Sequence, residues 1–131
     1  MKRLSFLKLL FHTGIITLVP VSLLAKKNKT KLLSCSIAGF QYYEGPSLVN
    51  SLKPQNPVEL QRESENKFDK YAIAVYYQNK KIGFVPRDEN KLLARILDNN
   101  LLEVKAEIKE VDTNPQYSGA VIEIFTHQHK L

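Results

Sequence analysis

The chain of 131 residues has a single cysteine, Cys35, and few groups that carry catalysis. One cysteine excludes an internal disulfide and a metal site built from several cysteines. No Gly-x-x-x-x-Gly-Lys phosphate loop is present, and no Ser-His-Asp set or paired-carboxylate spacing stands out. His127 and His129 offer two imidazoles on one strand face, but no further Cys or His lies near them. We therefore predict a protein that is not an enzyme and that has no metal site and no cofactor.

Acidic residues are missing from the first 35 positions, which hold seven Lys or Arg and a net charge of +7. Residues 36–131 hold 12 Lys or Arg against 13 Asp or Glu, which gives −1. The total of +6 therefore reflects the N-terminal segment. Nucleic-acid binding by the remainder of the chain would need a local basic patch, because its overall field is close to neutral.

Residues 1–25 have the layout of an export signal, with a basic start and an apolar stretch over residues 9–25 that contains Pro20. That stretch is short for a membrane span and suits the hydrophobic region of a signal peptide. We predict a signal peptide or an N-terminal anchor, a basic linker over residues 26–31 and one domain over residues 32–131. The protein would then be exported to the periplasm or cell envelope, with membrane contact only through the N-terminal segment.

Two features leave the export route open. Phe6-Leu7-Lys8 resembles part of a twin-arginine signal, but Leu4 stands where the second arginine belongs, so the general secretory route remains the alternative. Leu32-Leu33-Ser34-Cys35 matches a bacterial lipobox, yet the lysine-rich residues 26–31 separate it from the apolar stretch. A buried cysteine in the first strand of the domain is the simpler interpretation.

The pattern of apolar residues and turn formers predicts a small, mostly β domain with one main helix. Pro86 is predicted to open the helix, with Leu92, Leu93, Ile96 and Leu97 on its apolar face. Residues 78–80 are predicted to form a tight hairpin turn. The predicted strands cover residues 32–40, 58–62, 72–77, 81–85, 101–111 and 120–126. This order suits a compact barrel with a helix at one end.

Five motifs occur in the order and spacing of one family: Gly39-Phe40-Gln41-Tyr42-Tyr43, Leu60-Gln61-Arg62-Glu63, Asn66-x-Phe68-Asp69, Ala72-Ile73-Ala74-Val75 and Ile82-Gly83-Phe84-Val85-Pro86-Arg87. Together they resemble a HIRAN domain over about residues 32–126. The resemblance implies an OB-like β-barrel of about six strands. In helicase-like proteins that remodel replication forks, this domain captures the 3′ end of single-stranded DNA.

The resemblance also implies roles for particular residues. Tyr42 and Tyr43 would stack on bases, and the loop of Asn66, Phe68 and Asp69 would hold the terminal 3′-hydroxyl. Stacking accepts any base, and a carboxylate accepts the hydroxyl proton that only a free end offers. Arg87 occupies a basic position suited to a phosphate, and Phe84 completes the predicted site.

Three positions depart from the DNA-binding members of the family. Gln41 replaces a basic residue, Lys67 replaces a proline that stiffens the loop, and Phe84 replaces a histidine. Each change removes a feature that would support a phosphate or hydroxyl contact, and phosphate contacts dominate affinity for nucleic acid. The alternative function is an exported, non-catalytic module that binds a protein, a glycan or a cell-envelope ligand.

Structural roles compete with binding roles at several of these positions. Asn66 and Asp69 could cap their own turn, and Phe84 could be a half-buried strand residue. Tyr42 and Tyr43 are predicted to point to opposite faces of a strand, which would place one of them in the core. Arg87 could be a solvated residue at the helix start.

Overall fold

The computed structural model describes residues 27–129, of which Lys29–Gln128 form one compact unit. The predicted signal peptide or anchor over residues 1–25 lies outside the described residues. Within the described range, no helix has both the length and the apolar character needed to cross a bilayer. The elements in chain order are β1 (Lys27–Ser36), a 3-10 turn (Phe40–Tyr42), α1 (Gly45–Leu48), β2 (Pro57–Arg62), β3 (Ile73–Tyr77), β4 (Lys80–Phe84), α2 (Lys91–Asp98), β5 (Val104–Asp112) and β6 (Gly119–His129).

The six strands form one sheet in the order β1-β6-β5-β2-β3-β4. Strand β2 pairs antiparallel with β3, opposing Leu60 to Val75, and with β5, opposing Val58 to Ala106. Strands β5 and β6 pair antiparallel along most of their length, with an irregularity between Ile108 and Glu110. Such bulges bend a strand and increase its local twist, as a barrel requires.

An isolated bridge between Ala38 and Phe84 connects the two ends of this sheet order. The Ala38 N–H donates to the Phe84 carbonyl at 2.8 Å, and the Phe84 N–H donates to the Ala38 carbonyl at 2.9 Å. The segment after β1 is thereby attached to β4, although β1 and β4 are the outermost strands of the sheet. The predicted mostly β fold with about six strands and one main helix is confirmed, and this sheet, although not closed, is compatible with the predicted OB-like barrel.

The core consists of the side chains that the strands turn to the inside. Ile73, Val75, Ile82, Ile122 and Ile124 are fully buried. Each contributes about 1.5–3 kcal/mol relative to an exposed position. Helix α2 adds Leu93 and Ala94 to the buried set. The sheet therefore supplies most of the core, and α2 covers one part of it.

The predicted hairpin between β3 and β4 is present, but its turn is one residue shorter than the predicted residues 78–80, because Lys80 already belongs to β4. Gln78 and Asn79 form its two-residue turn and have φ of 47° and 68°. Positive φ at both central positions is typical of the turn whose twist matches that of the flanking strands. This turn sets the position of β4, and with it the position of Phe84.

Strand β1 begins earlier than predicted, because residues 27–31 of the predicted linker lie in it. The Lys29 ammonium group explains this difference. It lies 2.6 Å from the Glu107 carboxylate on β5 and 3.6 Å from that of Glu123 on β6. A lysine-rich segment is therefore held in the sheet by acidic partners on other strands.

Cys35 lies in β1 and is buried, as the simpler interpretation of the sequence proposed. Burial, with a smaller contribution from the nearby Glu89 carboxylate, raises the pKa of its thiol to about 12. The side chain therefore behaves as a small apolar residue of the core.

The main helix begins later than predicted. Pro86 belongs to a preceding turn in which the Glu89 N–H donates to the Pro86 carbonyl at 3.0 Å, and α2 starts only at Lys91. Leu92 is 69% exposed, so its predicted place on the apolar face is wrong. The extra turn shifts the buried face to Leu93 and Ala94. It also leaves residues 86–90 free to contact the loop that precedes β3.

Candidate functional site

A concave surface of about 290 Å³, termed the loop pocket below, lies between the loop after β2 and the start of the turn after β4. It brings together six of the seven predicted site residues. Its lining consists of Ala38, Tyr43, Asn66, Phe68, Asp69, Ala72, Phe84, Val85 and Arg87. Residues that are separated by as much as 49 positions in the chain thus share one pocket, because β3 and β4 return the chain to the loop.

Asn66 shapes the loop that forms one wall of this pocket. Its side-chain oxygen accepts hydrogen bonds from the N–H groups of Phe68 at 2.8 Å and Asp69 at 3.0 Å. Its amide nitrogen donates to the Glu63 carboxylate at 3.0 Å. Asn66 thus mimics a backbone turn, as the capping interpretation of the sequence proposed. It fixes the directions in which Phe68 and Asp69 point.

Asp69 is both a cap and a wall of the loop pocket. One carboxylate oxygen accepts from the Tyr71 N–H at 2.9 Å, and the other accepts from the Asn90 amide at 2.8 Å. Burial opposes ionisation, but these hydrogen bonds and the positive charge of Arg87 hold the pKa of Asp69 below its ordinary value. The side chain is therefore a carboxylate near neutral pH. It can only accept hydrogen bonds, and it retains lone pairs for a further donor.

Phe68 occupies the tip of the loop, and 83% of its surface is exposed. A ring so exposed offers a face on which a nucleic-acid base can stack. Its backbone is nevertheless well held, since its N–H donates to Asn66 and its carbonyl accepts from the Arg87 guanidinium. The ring is therefore exposed to solvent, while the backbone that carries it is held in place.

Arg87 connects the loop to the turn after β4. Besides bonding the Phe68 carbonyl, it lies 3.9 Å from the Asp69 carboxylate, and 74% of its side chain is exposed. A guanidinium group has five N–H donors, so several of them stay available to an anionic ligand. Arg87 thus combines a structural contact with a free cationic face.

The opposite wall of the loop pocket is aromatic. The rings of Tyr43 and Phe84 meet edge to face, with centroids 5.6 Å apart. The Lys81 ammonium lies 4.7 Å from the Phe84 ring and 5.3 Å from the Tyr43 ring. It also pairs with the Glu63 carboxylate at 2.7 Å. Phe84 itself is half-buried.

Tyr42 and Tyr43 do not lie on a strand, and neither is in the core. Tyr42 ends the 3-10 turn and is 78% exposed, while Tyr43 follows it and is 42% exposed. The predicted core position is instead occupied by Phe40, which is 2% exposed. The strand cannot continue to Tyr43, because Gly39 has a φ of 71° and turns the chain. Both tyrosines therefore remain available for binding.

Tyr42 lines a neighbouring concavity of about 580 Å³, termed the tyrosine groove. Tyr43 is shared between this groove and the loop pocket. The remaining lining residues are Glu44, Asn79, Lys80 and Lys81. Two exposed tyrosine rings beside a pocket form a surface of the kind on which bases stack.

Two residues that shape the site were not predicted, Lys81 and Asn90. Asn90 is 1% exposed, and its amide holds the Asp69 carboxylate across 21 positions of the chain. From the sequence alone, the position of Asn90 directly before the helix indicates an ordinary helix cap. The pairing of Lys81 with Glu63 spans 18 positions and carries no local pattern either. The only signal for Lys81 in the sequence was its position directly before a buried apolar residue of a strand.

Replacing Asn90 by alanine is expected to destabilise the protein by about 1–3 kcal/mol. The change removes a buried amide and leaves one oxygen of Asp69 without its 2.8 Å donor. Denaturation in urea, followed by circular dichroism, measures the difference. Asn50→Ala is the matched control, since Asn50 is exposed. Equal midpoints for the two variants would contradict a structural role for the buried amide.

The HIRAN domain family matches residues 31–124, which is most of the chain. The fold and the pocket thus belong to a protein of that class, and the chain is a member of the HIRAN domain family. Its fold is similar to the crystal structure of the HIRAN domain of human HLTF, with 25% identity, a TM-score of 0.59, and coverage of 74% of this chain and 78% of that one. The NMR structure of the same human domain gives 20% identity, a TM-score of 0.52, and coverage of 79% of this chain and 80% of that one.

A protein from Lactobacillus plantarum also has this fold in its crystal structure. It is 23% identical, with a TM-score of 0.63, and the alignment covers 77% of this chain and 99% of that one. Among curated proteins no match is found. At this level of identity the Lactobacillus structure supports the fold alone.

Proposed function

We propose that this HIRAN domain binds the 3′ end of single-stranded DNA, with the terminal nucleotide in the loop pocket. The observation that carries the proposal is the carboxylate of Asp69, which is kept ionised in the wall of a pocket between an exposed phenylalanine and an exposed arginine. The family resemblance supplies the ligand class. Asp69 supplies an acceptor for a hydroxyl, Phe68 a surface for a base, and Arg87 a cation for a phosphate.

The carboxylate is the part of the pocket that distinguishes a free end from the interior of a strand. A terminal 3′-hydroxyl donates a hydrogen bond to Asp69, whereas a 3′-phosphate brings negative charge against it. Hydrogen bonds to charged groups contribute about 1.5–3 kcal/mol, so the preference for a hydroxyl end should be about tenfold or more.

The aromatic side chains bind the bases without reading their identity. The ring of Phe68 is free to stack on the terminal base, and Tyr42 and Tyr43 line the adjoining groove for the next one. Phe84, in place of a histidine, gives the wall between them an apolar face packed on Tyr43. Phosphate contacts at that wall are therefore reduced, and Arg87 is the main cation in the loop pocket itself.

Fluorescence anisotropy tests the proposal with labelled single strands that differ only at the 3′ terminus. The strand that ends in a hydroxyl should bind more tightly than the strand that ends in a phosphate, by about tenfold or more. A strand closed into a circle serves as the control without ends. Equal affinity for all three ligands would refute end recognition.

Replacing Phe68 by alanine is expected to weaken binding of the hydroxyl-ended strand by about 1–3 kcal/mol, the contribution of one stacked base. Stability should barely change, because the ring is already 83% exposed. The same anisotropy titration measures the affinity. Tyr117→Ala is the matched control, since Tyr117 is 69% exposed and lies outside both the loop pocket and the tyrosine groove. A similar loss in both variants would show that stacking at the loop tip is not the cause.

A second candidate function is an exported, non-catalytic module that uses the same surface for a protein, glycan or cell-envelope ligand. The observation that favours it is the segment over residues 1–25, together with the net charge of −1 over residues 36–131. Cell fractionation with N-terminal sequencing of the mature chain tests it. A full-length chain found only in the cytoplasm would remove its basis.

A further inference from the structure

A third concavity, of about 400 Å³, adjoins the loop pocket and shares no lining residue with the tyrosine groove. We term it the cationic groove. It shares Phe68, Asp69 and Arg87 with the loop pocket, so the two are continuous at the loop. Its remaining lining residues are Lys70, Tyr71, Asn90 and Lys91. The backbone of a strand whose terminal nucleotide fills the loop pocket is therefore within reach of this groove.

The side chain of Tyr71 lies close to several cationic side chains. The ammonium groups of Lys70 and Lys91 are 5.3 Å and 5.5 Å from the centroid of its ring. Arg95 follows Lys91 by four positions in α2 and thus lies on the same helical face. Burial opposes ionisation of the phenol, but Lys70, Lys91 and Arg95 lower the pKa of Tyr71. The groove is therefore a place of positive potential.

Arg87 pairs with Asp69 in this groove, but three other cations at the groove have no acidic partner among the described residues. Within the described part of the chain, no carboxylate forms a salt bridge with Lys70, Lys91 or Arg95. Lys81 and Arg62, by contrast, each pair with a carboxylate within 2.8 Å. Unpaired cations on one face of a protein are typical of a surface that binds a polyanion.

The segment that supplies the lining of this groove is also the most basic part of the domain. Residues 62–95 contain eight Lys or Arg and five Asp or Glu, a net charge of +3. Residues 36–61 and 96–131 carry −1 and −3. Of the five acids only Asp69 lines the cationic groove, and Asp88 and Glu89 are exposed in the turn before α2. The near-neutral total therefore hides a local patch of the kind that nucleic-acid binding needs.

We propose that the cationic groove binds backbone phosphates of the DNA whose terminal nucleotide occupies the loop pocket. The proposal rests on the proposed function and adds a second contact surface to it. Lys70, Lys91 and Arg95 bind phosphates, and Tyr71 provides the surface on which the backbone lies. These contacts do not depend on the terminus, so they raise affinity without changing the preference for a hydroxyl end.

The test removes the three charges together and compares two properties of binding. In the variant Lys70→Gln/Lys91→Gln/Arg95→Gln, the slope of log affinity against log salt should fall by about 2, since each phosphate contact on a single strand contributes about 0.7. The ratio of affinities for hydroxyl and phosphate ends should stay at the wild-type value. The control variant Lys53→Gln/Lys105→Gln/Lys109→Gln removes the same charge from exposed positions outside the three surfaces.

The outcomes separate this inference from the proposed function. An unchanged salt slope in the triple variant, or an equal drop in the control variant, would overturn the cationic groove as a phosphate site. A wild-type protein that fails to distinguish the two ends would refute end capture, while a selective drop in slope would still support the groove. Because Lys70, Lys91 and Arg95 are exposed, both variants should unfold at the wild-type temperature.

Discussion

Replacing Gly83 by alanine should destabilise the protein by about 2–5 kcal/mol, the largest effect we expect from any single methyl group. Gly83 has a φ of 145°, which side-chain-bearing residues rarely adopt. A Cβ atom there would lie 2.5 Å from the Ala38 carbonyl oxygen and would also collide with the Ile37 side chain. The colliding oxygen belongs to the backbone that bridges Ala38 to Phe84, so it cannot move without opening the barrel.

Urea denaturation of the full chain measures this effect, and Gly119→Ala is the matched control. A Cβ atom on Gly119 meets nothing closer than 3.9 Å, so that variant should lie within about 1 kcal/mol of the wild type. DNA binding of Gly83→Ala should weaken as well, because Ala38 and Phe84 line the loop pocket. Wild-type stability of the alanine variant would show that the bridge does not hold the sheet ends together.

Replacing Asp69 by alanine should abolish the preference for a hydroxyl end, a loss of about tenfold or more in affinity for that end. The strand with a 3′-phosphate should bind the variant no more weakly than the wild type, since a repulsive charge has been removed. Asp88→Ala is the control, because Asp88 is an exposed carboxylate close by that does not line the pocket. Equal losses for both ends in Asp69→Ala would point to a collapsed loop instead.

The same substitution should alter the dependence of stability on acid. Asp69 has a lowered pKa in the folded protein, so its contribution to stability is present above the pKa of the unfolded chain and is lost as pH falls through the folded value. The wild type should therefore lose stability below about pH 4 more steeply than Asp69→Ala does. Midpoints of urea denaturation across this range measure the difference.

Local sequence patterns predicted the parts of the fold that local forces decide. The turn at Gln78 and Asn79, the bounds of β2 and β3, and the roles of Asn66 and Asp69 as caps all follow from residues close together in the chain. The grouping of Asn66, Phe68, Asp69, Phe84 and Arg87 in one pocket required the family resemblance, because spacing alone does not reveal which strands meet.

The predictions that failed depend on distant partners. Residues 27–31 were predicted to be a linker because no acidic residue lies near their lysines in the sequence. The acidic partners of Lys29 are Glu107 on β5 and Glu123 on β6. The strand predicted to reach Phe40 stops at Ser36, because Gly39 turns the chain towards a core position for Phe40. The roles of Asn90 and Lys81 were not predicted for the same reason. Each forms its hydrogen bond with a residue that is distant in the sequence and close only in the folded structure.

The neighbouring positions of β1 and β6 in the sheet have a consequence for the timing of folding. Within the described residues 27–129 the first and last strands are adjacent, so this sheet cannot be completed until residues 119–129 have left the ribosome. Contacts between such distant segments are slow to form, since the closure of a long loop comes before any gain from pairing. Until residues 119–129 are available, β1 and β5 therefore lack the strand that lies between them.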